Sequence, residues 1–164
     1  MKNHLFLLLC TIVYLGWALK EDEPPDERYQ EILDAINDLR KMVLEGRLEG
    51  QPQAEEMQPL KWSNSLAREA REEAEQCYSF KRRDPNQLGS EIRDISFKYE
   101  NPVFEWRKRN NDYKFGILTK TTRLRHGSYT QLVWANSDRV GCYTHFCREN
   151  EVYGGYLTVC KFYL

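Results

Sequence analysis

Residues 140–162 read VGCYTHFCRENEVYGGYLTVCKF. Two arms, Val140 to Phe146 and Tyr156 to Phe162, are rich in β-branched and aromatic residues, the types that fit a pleated, half-buried surface. The polar stretch Arg148 to Glu151 and then Gly154-Gly155 separate them. This pattern predicts a β-hairpin with a long connection, and cysteines on both arms can lock it.

Ahead of the hairpin the periodicity changes. Ile32, Ile36, Leu39 and Val43, with Tyr29 and Leu33 beside them, follow helical spacing up to Gly46. Residues 46–58, GRLEGQPQAEEMQ, carry two glycines and a proline and read as a loop. A second helix starts after Trp62 with Ser63 as its N-cap and closes at Cys77. Its Leu66, Ala70 and Ala74 lie four apart with Ala67 alongside, a narrow face that permits close approach to a neighbour. Arg68 with Glu72 and Arg71 with Glu75 are i,i+4 partners on its other side. Residues 78–89 are loop-like, and their basic cluster Lys81-Arg82-Arg83 reads as a solvated loop rather than an anion site. A short strand is expected near Ile92 to Phe97. A helix is expected from Asn101-Pro102, with Val103 and Trp106 on its inner face. Residues 110–125 look irregular, and Ser128 to Trp134 fits a short buried helix or a strand equally well. Helices, then mixed elements, then a terminal hairpin make an α+β or layered α/β/α domain.

The other end of the chain bears on compartment. Lys2 and His4 precede the apolar run Leu5 to Leu15, and Gly16-Trp17-Ala18 supplies small residues after it. The run falls short of the roughly 20 apolar residues that span a bilayer, so residues 1–18 are expected to be a secretory signal peptide. Residues 19–28, acidic and with two prolines, are expected to be an extended leader without a core role. Residues 29–164 form the expected domain. Four cysteines remain past the signal, Cys77, Cys142, Cys147 and Cys160. In an exported chain they predict two disulfides, with three pairings open. No Cys-x2-Cys pair occurs to favour zinc or redox chemistry. A formal net charge of −1 argues against a nucleic-acid partner. No Asn-x-Ser/Thr sequon is present.

Several stretches together resemble one family. ILDAINDLR at 32–40 is similar to the opening helix of CAP (SCP-like, pathogenesis-related and venom-allergen-like) domains, where His-Asn-x-x-Arg is usual: Asn37 and Arg40 match, and Ile36 stands at the His. PLKWSNSLAREA at 59–70 resembles Pro-Leu-x-Trp-x-x-x-Leu-Ala-x-x-Ala, and LEGQPQAEEM before it resembles the venom-allergen-like branch. HGSYTQLVW followed by NSDRVGC resembles Gly-His-Tyr-Thr-Gln-x-Val-Trp followed by Val-Gly-Cys, and GGYLTVCKFY resembles the closing strand. The likeness runs over 29–164. It implies an α/β/α sandwich with a central antiparallel sheet and the disulfides Cys77–Cys147 and Cys142–Cys160. The first would close a long loop.

The resemblance also implies a cleft with two His and two Glu, and here each position is substituted. Lys81 lies near the first His, Ser90 takes the Glu of Gly-Glu-Asn-Ile, and Arg109 takes the Glu of Trp-x-x-Glu-x-x-x-Tyr. Ser128 takes the second His. Glu91 and His126 are close enough in sequence to be recruited by a register shift. The expected alternative is that His126 is a solvated loop residue, that Glu105 pairs with Arg109 one turn on, and that no metal or other cofactor is held. His145, between Cys142 and Cys147, is expected to be exposed on the hairpin.

These readings make the chain a secreted, extracellular, non-catalytic CAP-domain binding protein for a lipid, a sterol or a partner protein. The short loop 78–89 departs from the longer loop associated with sterol in some relatives. The alternative is a metal-dependent or proteolytic hydrolase, including a serine-type site at Ser90 or Ser128, which needs an imidazole within reach. A third reading, an unrelated disulfide-rich receptor ligand, requires a core without helix layers on both sheet faces.

Overall fold

The computed structural model describes residues 23–77, 90–148 and 154–163. The expected signal segment, the basic cluster at Lys81 and most of the hairpin connection lie outside them.

Helix α1 spans Glu27–Leu44. It starts where the Asp26 carboxylate accepts the backbone N–H groups of Arg28 and Tyr29, so the last two residues of the expected leader are already helical. Its buried stripe includes Ile32, Ile36, Leu39 and Val43, as the spacing predicts. Strand β1 is the pair Lys61–Trp62, and helix α2 spans Asn64–Ala74 with the Ser63 hydroxyl accepting the Leu66 N–H. Strand β2 is Glu91–Ser96, α3 is Val103–Lys108, α4 is Lys120–Leu132, β3 is Arg139–Cys147 and β4 is Gly155–Tyr163. α3 starts one residue later than expected, with Pro102 rather than Asn101 at the N-cap and no side-chain cap bond from it; the Asn101 side chain accepts the Val103 N–H from just outside the helix.

The sheet runs β1-β3-β4-β2. β4 is antiparallel to β3 and β2, and the two-residue β1 adds a parallel edge to β3. Side chains alternate along β4. Leu157 and Val159 pack with Ala70, Ala74, Cys77 and Cys147, while Cys160 and Phe162 join the larger core of α1, Trp62, Ile92, Trp106 and Tyr129. One face is thus covered by α2 and the other by the remaining helices, which is the layered α/β/α arrangement. The alanine face of α2 approaches closely: a Cβ on Gly141 would sit 2.2 Å from the Ala67 nitrogen and 2.5 Å from the Ser63 carbonyl oxygen. Arg71 and Glu75 pair on the solvent side of α2 at 2.6 Å.

Both disulfides form as the resemblance implies. Cys142 and Cys160 are register partners on β3 and β4, and Cys77, just past α2, joins Cys147 across a sequence separation of 70. Losing a native disulfide in a small domain costs about 2–5 kcal/mol.

One expectation fails in this region. Residues 120–125 are helical, not irregular, and Ser128 belongs to the same helix, α4. All the buried residues of α4, His126 and Tyr129 to Leu132, fall in its second half. Its first two turns are polar or exposed, so they carry no apolar period, and the Thr119 hydroxyl accepting the Thr122 N–H is what starts the helix.

Asn37 and Arg40, the two matched residues of α1, are spent on packing. The Asn37 side chain accepts the Leu60 N–H at 2.7 Å and donates to its carbonyl at 3.0 Å. Arg40 is 1% exposed and donates to the carbonyls of Gln58, Leu132, Trp134 and Ser137. Burial pulls its guanidinium down to about 10. It ties the loop before β1 to the end of α4.

Candidate functional site: a charged cleft between β2, α3 and α4

A cleft of about 340 Å³ opens where three elements meet. β2 supplies Arg93 and Asp94, α3 and its cap supply Glu105, Trp106, Lys108 and Arg109, and α4 supplies Ser128. Alternation along β2 decides what each side chain does. Ile92 is in the core, so Asp94 two residues on shares its face, while Arg93 and Glu91 take the other. Arg93 pairs there with Glu73 of α2 at 2.7 Å and with Glu91, and Glu91 also pairs with Lys161 at 3.1 Å. The indole of Trp106 donates to the Arg93 carbonyl at 3.3 Å and holds α3 against β2.

Of the four positions that the resemblance sets against the family's His and Glu residues, Arg109 and Ser128 line this cleft. Ser90 is exposed and is not part of the lining; its carbonyl accepts the Phe162 N–H. Lys81 lies outside the described residues. The Glu105 carboxylate pairs with Lys108, i,i+3, and not with Arg109 as expected. The three-residue step wins because both side chains are exposed and long enough to meet there.

His126 also departs from expectation. It is buried, not solvated, and its Nδ1 lies 2.6 Å from the carbonyl oxygen of Arg109, the residue that caps α3. Its ring packs 5.4 Å from Tyr113 and its Nδ1 lies 3.8 Å from Asp112. It braces the α3 terminus from outside the cleft. Glu91 is engaged in its own ion pairs, so the register-shift site does not assemble from these two residues. His145 lies on β3, half-buried rather than exposed. Among the described residues, no imidazole hydrogen-bonds Ser90 or Ser128, the contact a serine-type site needs.

The sequence reading missed Asp94. Burial, together with the carboxylates of Glu105 and Glu100, pushes its carboxyl up; Arg109 works against them. The signal was available: in Ile92-Arg93-Asp94 an acid takes the inward position where alternation calls for an apolar residue.

The donor set does not fit a divalent metal ion. The carboxylates of Asp94 and Glu105 and the Ser128 hydroxyl stand beside two cations, Lys108 and Arg109, and no imidazole of the described residues joins the lining. An approaching ion would meet like charge where ligands are needed. Among the described residues, no group of three His, Cys, Asp or Glu side chains is arranged to hold a metal. Nor is any described helix long and apolar enough to cross a membrane.

Similarity to known proteins agrees with this architecture. The chain is 35% identical over 152 residues to Venom allergen 5 of Vespula maculifrons, covering 81% of this chain and 65% of that one. It is 30% identical over 133 residues to Peptidase inhibitor 16 of Mus musculus, covering 79% and 24%. Against most of the curated relatives it matches, the chain spans about half their length or less. The solved structure of Schistosoma mansoni venom allergen-like protein 4 superposes with a TM-score of 0.64 at 25% identity, over 84% of this chain and 88% of that one. The model of the CAP, or cysteine-rich secretory protein, family matches residues 33–162, and with the layers and disulfides described above the chain belongs to that family.

Proposed function

We propose that this is a secreted, non-catalytic CAP protein that binds an extracellular protein partner through the cleft between β2, α3 and α4. The observation that carries the reading is the joint presence of Arg109, Asp94 and Ser128 at the opening: a fixed cation, a half-buried acid and a hydroxyl, with no imidazole beside them. Such a lining offers charge-assisted hydrogen bonds to polar side chains. Among the described residues no imidazole stands beside the Ser128 hydroxyl to serve as its base, and the Glu105 carboxylate is paired with Lys108. It is also a poor lipid seat, since lipid and small-molecule pockets are mostly apolar and this one is lined chiefly by ionised side chains. The charged start and apolar run of residues 1–18 support export, with the signal removed after residue 18 and the acidic leader preceding a domain that runs to residue 164.

The test is mass spectrometry of an organic extract of the purified secreted protein. The expected result is no lipid or sterol at stoichiometric level. One lipid molecule per chain would replace this reading with that of a lipid carrier.

A further inference from the structure

We infer that a second surface, the loop before α4 and that helix's first turns, docks the protein on an anionic lipid surface. The inference does not depend on what the cleft binds. Residues 113–125 read YKFGILTKTTRLR, with four Lys or Arg and no Asp or Glu, in a chain whose formal net charge is −1. Lys114, Lys120 and Arg125 are exposed. Large apolar side chains stand out among them: Phe115 is 73% exposed, Ile117 91% and Leu124 64%. Isolated exposed apolar residues are ordinary, but three within ten residues, set among cations, are not.

The local structure holds these groups on one stretch of loop and the start of α4. Thr119 caps α4, Ile117 lies two residues before the cap, and Leu124 lies in the second turn. The first five helical residues rise only about 6 Å. Tyr113 and Leu118 pack into the core on either side, so the tip Lys114 to Ile117 is presented from two anchors. Leu124 is also one turn ahead of Ser128, on the same face of α4.

The mixture selects the partner. A sulfated polysaccharide would use the cations and leave Phe115 and Ile117 in water. An anionic bilayer uses both, with apolar side chains entering the headgroup boundary and cations remaining at the phosphate level. Binding by such a surface is peripheral and weakens with salt.

The test is co-sedimentation of the purified protein with vesicles of phosphatidylcholine mixed with phosphatidylserine, against phosphatidylcholine alone, with retention on heparin measured in parallel. The expected result is binding to the mixed vesicles only. Phe115→Ser with Ile117→Ser should lower the partition coefficient roughly tenfold. Lys114→Gln with Lys120→Gln should lower it by roughly tenfold or more. Circular dichroism checks that each variant is folded, and all four side chains are exposed, so both pairs should be. No binding to the mixed vesicles would overturn the inference. So would binding that the Phe115 and Ile117 pair leaves unchanged, or retention on heparin without vesicle binding.

Discussion

Arg40 and Arg109 make opposite uses of the same side chain. Arg40 is closed in: every donor it offers is taken by a backbone carbonyl, no carboxylate accompanies it, and burial lowers its pKa to about 10. Arg109 stands at the rim of a cleft, exposed, and its backbone carbonyl rather than its guanidinium is what the fold engages. Asn37 beside Arg40 likewise spends both ends of its amide on Leu60. Asn37 and Arg40 hold the scaffold together, while Arg109 stands at the opening. A sequence match at these two positions therefore reports architecture, and the cleft has to be read from its own lining.

The strongest way to break that comparison is to replace the two arginines in turn. Arg40→Met should cost about 3–5 kcal/mol in urea unfolding, because it strands several buried carbonyls at once. Arg109→Met should change stability by no more than about 0.5 kcal/mol. Equal effects would erase the distinction. Next in size, Gly141→Ala drives a methyl into the backbone of α2 and should cost about 2–3 kcal/mol, measured the same way. An unchanged midpoint would mean that the alanine face of α2 is not closely seated on the sheet.

His126→Phe sharpens the boundary between brace and site. It removes the hydrogen bond to the Arg109 carbonyl and should cost about 1–2 kcal/mol. If it instead abolished partner binding without loss of stability, His126 would belong to the cleft. The smallest effect is at Asp94. Its carboxyl is raised above the ordinary 3.8, so the folded protein holds that proton more tightly than the unfolded chain. Stability from this group is fully present below 3.8 and is lost as pH rises through the raised value. Asp94→Asn should flatten that decline in a series of thermal midpoints against pH. A steeper decline in the variant would contradict the assignment.

Much of the fold was legible because apolar periodicity is a direct record of burial. The stripe on α1, the alternation on β3 and β4, and the Ser63 cap all appear where spacing puts them. α4 was not legible over its first turns, since a helix that buries only its second half leaves no period to read in the first. The cleft was half legible. Arg109 and Ser128 were found by their place in the motifs, while Asp94 needed the strand face to be known and His126 needed the turn between α3 and α4. Arg40 illustrates the remaining gap, because four carbonyl partners drawn from residues 58, 132, 134 and 137 leave no local trace in sequence.

Isothermal titration of the purified protein with zinc chloride tests the central proposal, that the lining of this cleft does not hold a divalent metal ion. The account predicts no saturable heat beyond that of a helical control protein. A stoichiometric zinc site of micromolar or tighter affinity, weakened by Asp94→Asn or His126→Phe, would contradict it.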